Sequence, residues 1–451
     1  MARARAVIIL AAGHGKRMKS AMAKPLHAVA GRSMLDWSLA LARSCDAQHK
    51  VVIWGAHGPE VKARAESAGA LTALQDPPMG TGHAVLCGQD ALAGFDGDVA
   101  VLFADTPLIR TQTLESVFAA LEAGANIAVL GFEPENPTGY GRLIENSSGA
   151  LTAIVEEKDA SAEQKAVRLC NSGVLAAPAP LLFELLSKVT NDNANGEYYL
   201  TDIIALGVAA GHSARAVRAD ADEVMGVNSR HNLAQAEAAF QARARAAAME
   251  AGVTLVAPET VFFSHDTQIA NDVIIEPNVV FGPGVIIGTG AAIHAFSHLE
   301  GAVIGENTSV GPYARLRPGA VLETGAKIGN FVEVKNARLH AGAKANHLSY
   351  IGDADIGAKA NIGAGTITCN YDGYFKHRTI VGDGAFIGSN TSLVAPVTIG
   401  HGAFTGSGSV ITSDVPDDTL ALSRARQENK TGWAARFRQT MQARKDKTKT
   451  K

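Results

Sequence analysis

The chain has 451 residues, 47% apolar and 19% charged, which excludes disorder as the bulk state and allows roughly two to four domains. Its formal net charge of −3 argues against general electrostatic binding to nucleic acid or to an anionic membrane. The four cysteines, Cys45, Cys87, Cys170 and Cys369, have no metal-ligand spacing and read as small core residues in a reducing compartment.

The opening "MARARAVIILAAGHGKRM" places basic residues before an apolar run, as a signal peptide does. That run, Ala6 to Ala12, is short and ends in a Gly-rich turn with Lys and Arg, so it reads as a buried first strand. No run approaches the length of a membrane span, and a cytoplasmic location is expected. The runs "AVIIL" (6–10), "VVIW" (51–54), "VAVLFA" (99–104) and "IAVLG" (127–131) are apolar throughout, as a sheet covered on both faces requires. Between them, stretches such as "TLESVFAALEAG" (113–124) have helical spacing and a terminal Gly. Residues 1–228 are therefore predicted to form an α/β, Rossmann-like domain with a mostly parallel sheet. Residues 229–251, rich in Ala, Gln, Glu and Arg without Gly or Pro, predict one long connecting helix.

From residue 252 the period changes. Ile269, Ile275, Phe281, Ile287, Ile293 and Leu299 recur every six residues, and after a slip of five the spacing resumes at Ile304, Val310, Leu316, Leu322, Ile328 and Val334. Ile387, Leu393, Ile399, Thr405 and Ile411 repeat it again. A sustained hexapeptide period marks a parallel β-helix, and this repeat resembles the left-handed form with three flat faces. The segment "CNYDGYFKHRT" (369–379) leaves the ladder and reads as an outward loop. The basic end from Gln442 reads as a solvated, mobile terminus.

Two places could carry chemistry. "LAAGHGKRM" (10–18) follows the first strand, where small residues and a helix start suit a phosphate. It is neither a Walker A loop nor a full dinucleotide fingerprint, and a tight turn is the competing reading. Asp105 ends "VAVLFAD" at the same sheet edge; it reads as a helix cap or, beside a phosphate cradle, as a magnesium ligand. In the repeats, "KANHLSY" (344–350) contains a histidine that a β-helix does not need in order to fold. Arg317 and Lys335 precede His347, and Tyr350 and Asn361 follow it. Coils of about 18 residues could gather all five around a sugar phosphate; the plainer reading is a satisfied histidine among solvated charges.

"LAAGHGKRM", "KPLH" (24–27), "GTGHA" (80–84), "PTGYGR" (137–142), "VEEKDA" (155–160), "NSG" (171–173), "NGEYYLTDII" (195–204) and "GVNSR" (226–230) follow one another as in sugar-nucleotide pyrophosphorylases. With the repeats, nearly the whole chain resembles the bifunctional N-acetylglucosamine-1-phosphate uridyltransferase/glucosamine-1-phosphate N-acetyltransferase family. The resemblance implies that Leu10, Ala11, Ala12 and Gly13 cradle the UTP phosphates, and that Gln75, Gly80 and Thr81 hold the uracil. Arg17 and Lys24 would act on phosphate charge, Asp105 and Asn228 would hold Mg²⁺, and Gly141, Glu156 and Asn171 would contact the sugar. Lys16 and Ala104 depart from the family's usual Thr and Gly. Glu197, Tyr198 and Tyr199 stay open between packing and binding.

For the second reaction the resemblance implies acetyl transfer from acetyl-CoA to glucosamine-1-phosphate. An amine attacking a thioester must shed a proton, and an imidazole with an ordinary pKa of about 6.5 can take it, so His347 is the expected general base. Glu333 is the candidate to orient it, and Arg317, Lys335, Tyr350 and Asn361 would hold the sugar phosphate. Ala364, Asn370, Tyr371, Ser389, Ser407 (usually Ala) and Arg424 would line the acetyl-CoA cleft. The family also implies homotrimers with shared acetyl sites, and a product that feeds peptidoglycan and lipopolysaccharide synthesis. The alternative keeps only uridylyl transfer, with the β-helix as a trimerisation scaffold. A cut near residues 230–250 is expected to leave two separately active pieces.

Overall fold

The computed structural model describes residues 3–193 and 195–449. Its chain divides into two compact units: residues 1–250 with 262–267, and residues 251–261 with 268–451.

In the first unit the apolar runs become strands β1 (Arg5–Leu10), β2 (His49–Gly55), β4 (Asp98–Phe103) and β5 (Ile127–Phe132). Strands β3 (Leu71–Gln75), β6 (Cys170–Pro178) and β7 (Ala214–Ala219) complete the central order β7-β5-β6-β4-β1-β2-β3. Most pairings are parallel, but β6 runs antiparallel to both β4 and β5. The runs are buried on both faces because helices cover both sides, and side chains that alternate along β1 enter two separate cores, Val7 and Ile9 in one and Ala6 and Ile8 in the other. All four cysteines are free; Cys45 and Cys170 are buried, and burial pushes the Cys45 thiol up to about 12.

Helix α1 (Thr81–Cys87) follows β3, and the long helix predicted over 229–251 is α2, Arg230–Glu250. Rather than standing apart as a connector, α2 is stitched into the first unit. Glu237 accepts the Ala30 N–H at 2.7 Å, Phe240 packs against Trp37, and Arg243 donates to the Leu108 carbonyl at 3.3 Å. Buried Gln241 exchanges two hydrogen bonds with the Phe263 backbone, at 2.7 and 2.8 Å, which is how residues 262–267 join this unit. A cut between 230 and 250 therefore removes part of the first unit's own packing, and the boundary at 228 moves accordingly.

The second unit is the parallel β-helix that the repeat predicts. Its strands stack into three parallel sheets of ten, eight and eight strands, one per face. The laddered residues point inward: Ile275, Leu299, Val310, Leu316, Val334, Leu393 and Ile399 are fully buried, while Ile269 at the first coil is half-buried. Thr405 fits the ladder because its buried hydroxyl is satisfied internally, accepting the Gly388 N–H at 3.0 Å. Strands used below are β8 (Arg315–Leu316), β9 (Lys327–Asn330), β10 (Glu333–Lys335), β11 (Lys344–His347) and β12 (Tyr350–Gly352). A full coil moves Leu316 to Val334, and a coil containing a five-residue slip moves Val334 to Ile351. Residues 370–378 form the outward loop, so Asp355 pairs across it with Ile380.

The basic end is exposed to solvent, as expected, and it is helical. It belongs to helix α3 (Trp433–Lys449), whose side chains are exposed where described. Its Ala, Arg, Gln and Lys residues are good helix formers and no Gly or Pro interrupts them. Among the described residues no helix is long and apolar enough to cross a membrane.

The Gln241 pairing yields a stability prediction. Gln241→Ala removes two buried hydrogen bonds to the Phe263 backbone, which costs about 1–3 kcal/mol. Urea unfolding followed on the full chain should show that loss in the transition that abolishes nucleotidyl transfer.

Candidate active sites

In the first unit the cradle forms where β1 ends. The Ala11 N–H donates to Ile53 and the Ala104 N–H to Leu10, which pins the loop between neighbouring strand ends. Beyond that point the N–H groups of Gly13, His14 and Gly15 have no acceptor among the described residues, so three donors stand ready for an anion. Gly15 has φ of +60°, and a Cβ there would fall 2.7 Å from Cβ of Lys24; the bare backbone is what lets Lys24 approach. The Lys24 ammonium lies 2.5 Å from Asp105 Oδ2 and 3.1 Å from Asn228 Oδ1. Asn228 is delivered by the Val227 N–H, which donates to the Asp105 carbonyl at 2.8 Å.

Leu10 to Gly13, Lys24, Gln75, Gly80, Thr81, Ala104 and Asp105 line one cleft of about 300 Å³. At its far wall Gln75 is buried and donates to the Gly80 carbonyl at 2.9 Å. Thr81 Oγ1 accepts the Leu200 N–H at 3.0 Å, and the Tyr198 backbone pairs with Met79 and Gly82. Tyr198 is thus a packing residue through its backbone. Glu197 instead lines this cleft and the adjoining one, and Tyr199 lines the second. Glu156 and Asn171 line that second cleft as well. Gly141 sits behind them, accepting the Asn171 N–H at 2.8 Å. Burial, with Asp159 and Asp202 nearby, raises the pKa of the Glu156 carboxyl above the ordinary range. Arg17 and Lys16 are exposed and touch none of these groups.

A carboxylate and an amide oxygen that already converge on one cation suit a hard divalent ion such as Mg²⁺. Among the described residues no three His, Cys, Asp or Glu side chains gather for a metal. An ion held by Asp105 and Asn228 would therefore complete its shell with phosphate oxygens and water.

In the second unit the expected acetyl-site residues fall into two rows. His347, Ala364, Ser389 and Ser407 occupy the same corner of successive coils. The rungs are the N–H groups of Gly365, Asn390 and Gly408, which donate to His347, Ala364 and Ser389 at 3.2, 2.7 and 2.8 Å. At about 4.8 Å per coil this column is roughly 14 Å long, room for an extended arm ending at the imidazole. On the next face Arg315, Glu333 and Tyr350 are register partners, and Arg317 donates to Glu333 at 2.8 Å. The Tyr350 ring lies across Gly352, where a Cβ would meet it at 2.6 Å. This leaves the Tyr350 hydroxyl 3.5 Å from the Asn370 amide, which also bonds Asp353. Lys335 stands beside Gly352, and Asn361 pairs in register with Lys344. Tyr371 is exposed with Lys376 over its ring at 4.4 Å. Arg424 is exposed without a partner among the described residues.

One assignment changes. Glu333 does not orient His347, because its carboxylate is held by Arg317 on the adjoining face. The group at His347 Nδ1 is the Asn330 amide oxygen, 2.7 Å away. Asn330 is the Cα partner of His347 one coil earlier. Counting back one slipped coil, 17 residues, would have found it in the sequence.

A MobA-like NTP transferase domain model matches residues 7–172, and a bacterial transferase hexapeptide model matches residues 266–301, 301–336 and 378–413. The chain is 64% identical over 445 residues to the Bifunctional protein GlmU of Maricaulis maris, covering 99% of this chain and 98% of that one. It is 56% identical to that of Caulobacter vibrioides over 451 residues, covering 100% and 98%. To that of Zymomonas mobilis it is 50% identical over 436 residues, covering 96% and 97%.

The chain belongs to the GlmU family.

It is accordingly a bifunctional enzyme of UDP-N-acetylglucosamine synthesis, joining uridylyl transfer to acetyl transfer and supplying cell-wall precursor. The GlmU repeats are thus more than a scaffold in this chain.

Gly80 tests the first cleft. Its φ is +110°, and a Cβ would fall 2.6 Å from the Tyr198 carbonyl oxygen. Gly80→Ala should displace residues 196–200 and raise KM for UTP about tenfold or more, with acetyl transfer unchanged in steady-state assays.

Proposed function

We propose that the two reactions use the residues assembled above, each site within its own unit. In uridylyl transfer, the free N–H groups of Gly13, His14 and Gly15 receive the triphosphate, and Lys24 and Arg17 add positive charge. Asp105 and Asn228 hold Mg²⁺, which when bound neutralises phosphate charge as the α-phosphorus is attacked. Gln75, Gly80 and Thr81 seat the uracil, while Gly141, Glu156 and Asn171 seat N-acetylglucosamine-1-phosphate in the adjoining cleft. The sugar-phosphate oxygen forms the new bond to the α-phosphorus of UTP, and the bond to pyrophosphate breaks. That oxygen is already anionic, so positioning and charge neutralisation suffice without a protein nucleophile. The observation that carries this reading is the convergence of Asp105 and Asn228 on the Lys24 ammonium beside three unpaired backbone N–H groups.

In acetyl transfer, Arg317, Lys335, Tyr350 and Asn361 hold glucosamine-1-phosphate. His347 takes the proton from its amine as nitrogen attacks the thioester carbonyl of acetyl-CoA, and the coenzyme leaves as its thiol. Ala364, Ser389 and Ser407 flank the coenzyme along the corner column, with Asn370, Tyr371 and Arg424 beside it. We further propose that the enzyme is a cytoplasmic homotrimer whose neighbouring β-helices close over that exposed column.

Paired assays test the two-site reading. His347→Ala should lower acetyl transfer by at least about 100-fold and leave uridylyl transfer near the parent rate. Asp105→Ala should do the reverse, and parallel loss of both activities in either variant would refute separate sites. Glu156 gives a different check. Its raised pKa means that folding disfavours its charged form, a cost present at neutral pH and relieved as pH falls below the ordinary carboxyl range. Glu156→Gln should raise the urea midpoint at pH 7, with the gain vanishing at acid pH, while KM for N-acetylglucosamine-1-phosphate rises.

A further inference from the structure

The imidazole of His347 can act as a base only through a nitrogen that carries a lone pair. Neutral imidazole has one N–H and one lone pair, and the partner of one nitrogen decides the state of the other. Here the partner is Asn330 Oδ1, 2.7 Å from Nδ1, and an amide oxygen can only accept. Nδ1 must then carry the proton, which leaves the lone pair on Nε2. Nε2 has no partner among the described residues, and the side chain is exposed at the corner column.

The backbone makes this pairing hard to escape. Asn330 and His347 are register partners in neighbouring coils, and the Leu348 N–H donates to the Asn330 carbonyl at 3.0 Å. The His347 carbonyl is held from the other side by the Gly365 N–H and by Ser349 Oγ at 2.9 Å. With both main chains fixed, the two side chains stand side by side on one outer face about 4.8 Å apart in the strand-pairing direction. Rotation of the ring is the remaining freedom, and the bond to Asn330 removes it. Of the titratable groups nearby, Lys344 shares His347's strand and Lys327 lies on the coil before it. Glu333, Lys335, Tyr350 and Arg317 belong to the adjoining face, and Glu333 is committed to Arg317. Among the described residues no carboxylate is bonded to the imidazole. An amide orients the ring without the pull toward the protonated form that a carboxylate exerts.

We propose that Asn330 is a positioning residue for acetyl transfer: its amide oxygen fixes the Nδ1–H tautomer of His347, so that Nε2 meets the substrate amine as proton acceptor. The inference rests on the assignment of His347 as base and adds which nitrogen acts and what selects it.

The test uses the full chain with glucosamine-1-phosphate and acetyl-CoA, reading pH profiles of kcat and kcat/KM. Asn330→Ala removes the acceptor; kcat should fall about five- to tenfold, the bias a single hydrogen bond supplies, with KM for glucosamine-1-phosphate within about twofold of the parent's. Asn330→Asp keeps an acceptor in place and adds charge. It should retain most of kcat at alkaline pH and move the acid limb of kcat/KM upward by about one pH unit. A purely structural Asn330 would instead lower urea stability without moving the limb, and an Asp variant whose limb coincides with the parent's overturns the proposal. So does an Ala variant with unchanged kcat. If Asn330→Ala fails to fold, the Asp profile decides alone. His347→Ala separates the two claims: retained acetyl transfer there rejects the base, whereas an inactive His347→Ala with unshifted Asn330 variants rejects only the tautomer argument.

Discussion

Parallel backbone pairing is the constraint on which both halves of this protein rest. A strand whose N–H and C=O groups are bound on both sides cannot slide, because a one-residue shift would turn its buried side chains outward. In the β-helix this fixes Val334 over Leu316 and under Ile351, and so it also fixes everything on the outer surface. Asn330, His347, Ala364, Ser389 and Ser407 are scattered over much of the domain's sequence, yet the same rungs stack them at one corner. The grouping of these side chains is therefore a by-product of register, and outward residues are free to be chosen for chemistry.

In the first unit the same pairing brings strand ends together at one edge of the sheet. Strands β1 and β4 are hydrogen-bonded along their length, which places Leu10 beside Phe103 and their following loops side by side. What those loops hold is a charge arrangement. The Lys24 ammonium neutralises Asp105 while the side chains stand 13% and 20% exposed, a pairing that is sheltered from most solvent yet still reached from the cleft. Close approach is bought with glycine: Gly15 admits Lys24, and Gly80 admits the Tyr198 backbone.

The carboxylate partner of Arg317 and the amide partner of His347 show how the two faces divide their work. Glu333 tempers two arginines, Arg315 and Arg317, on the face expected to meet a phosphate. Asn330 serves the imidazole without adding charge. Had Glu333 reached His347, one carboxylate would have been shared between a guanidinium and an imidazole.

The sequence by itself determined the two architectures. A six-residue period leaves no other way to bury one apolar residue per strand, and fully apolar runs require a covered sheet. The strands it hid were those with mixed patterns: Leu71–Gln75 is half exposed, and Ala214–Ala219 carries arginines at an edge position. Helix composition over 230–250 was legible, but its membership in the first unit was not, since Gln241 looks like any surface residue until its amide is seen on the Phe263 backbone. Likewise the motifs carried Asp105, Asn228 and His347 as candidates, whereas only the tertiary structure decided that Lys24 bridges the first two and that Asn330 rather than Glu333 faces the third. The physical reason is that periodicity encodes which side of a strand is buried, while partners across coils and between loops depend on accumulated register and on three-dimensional distance, which a linear pattern does not contain.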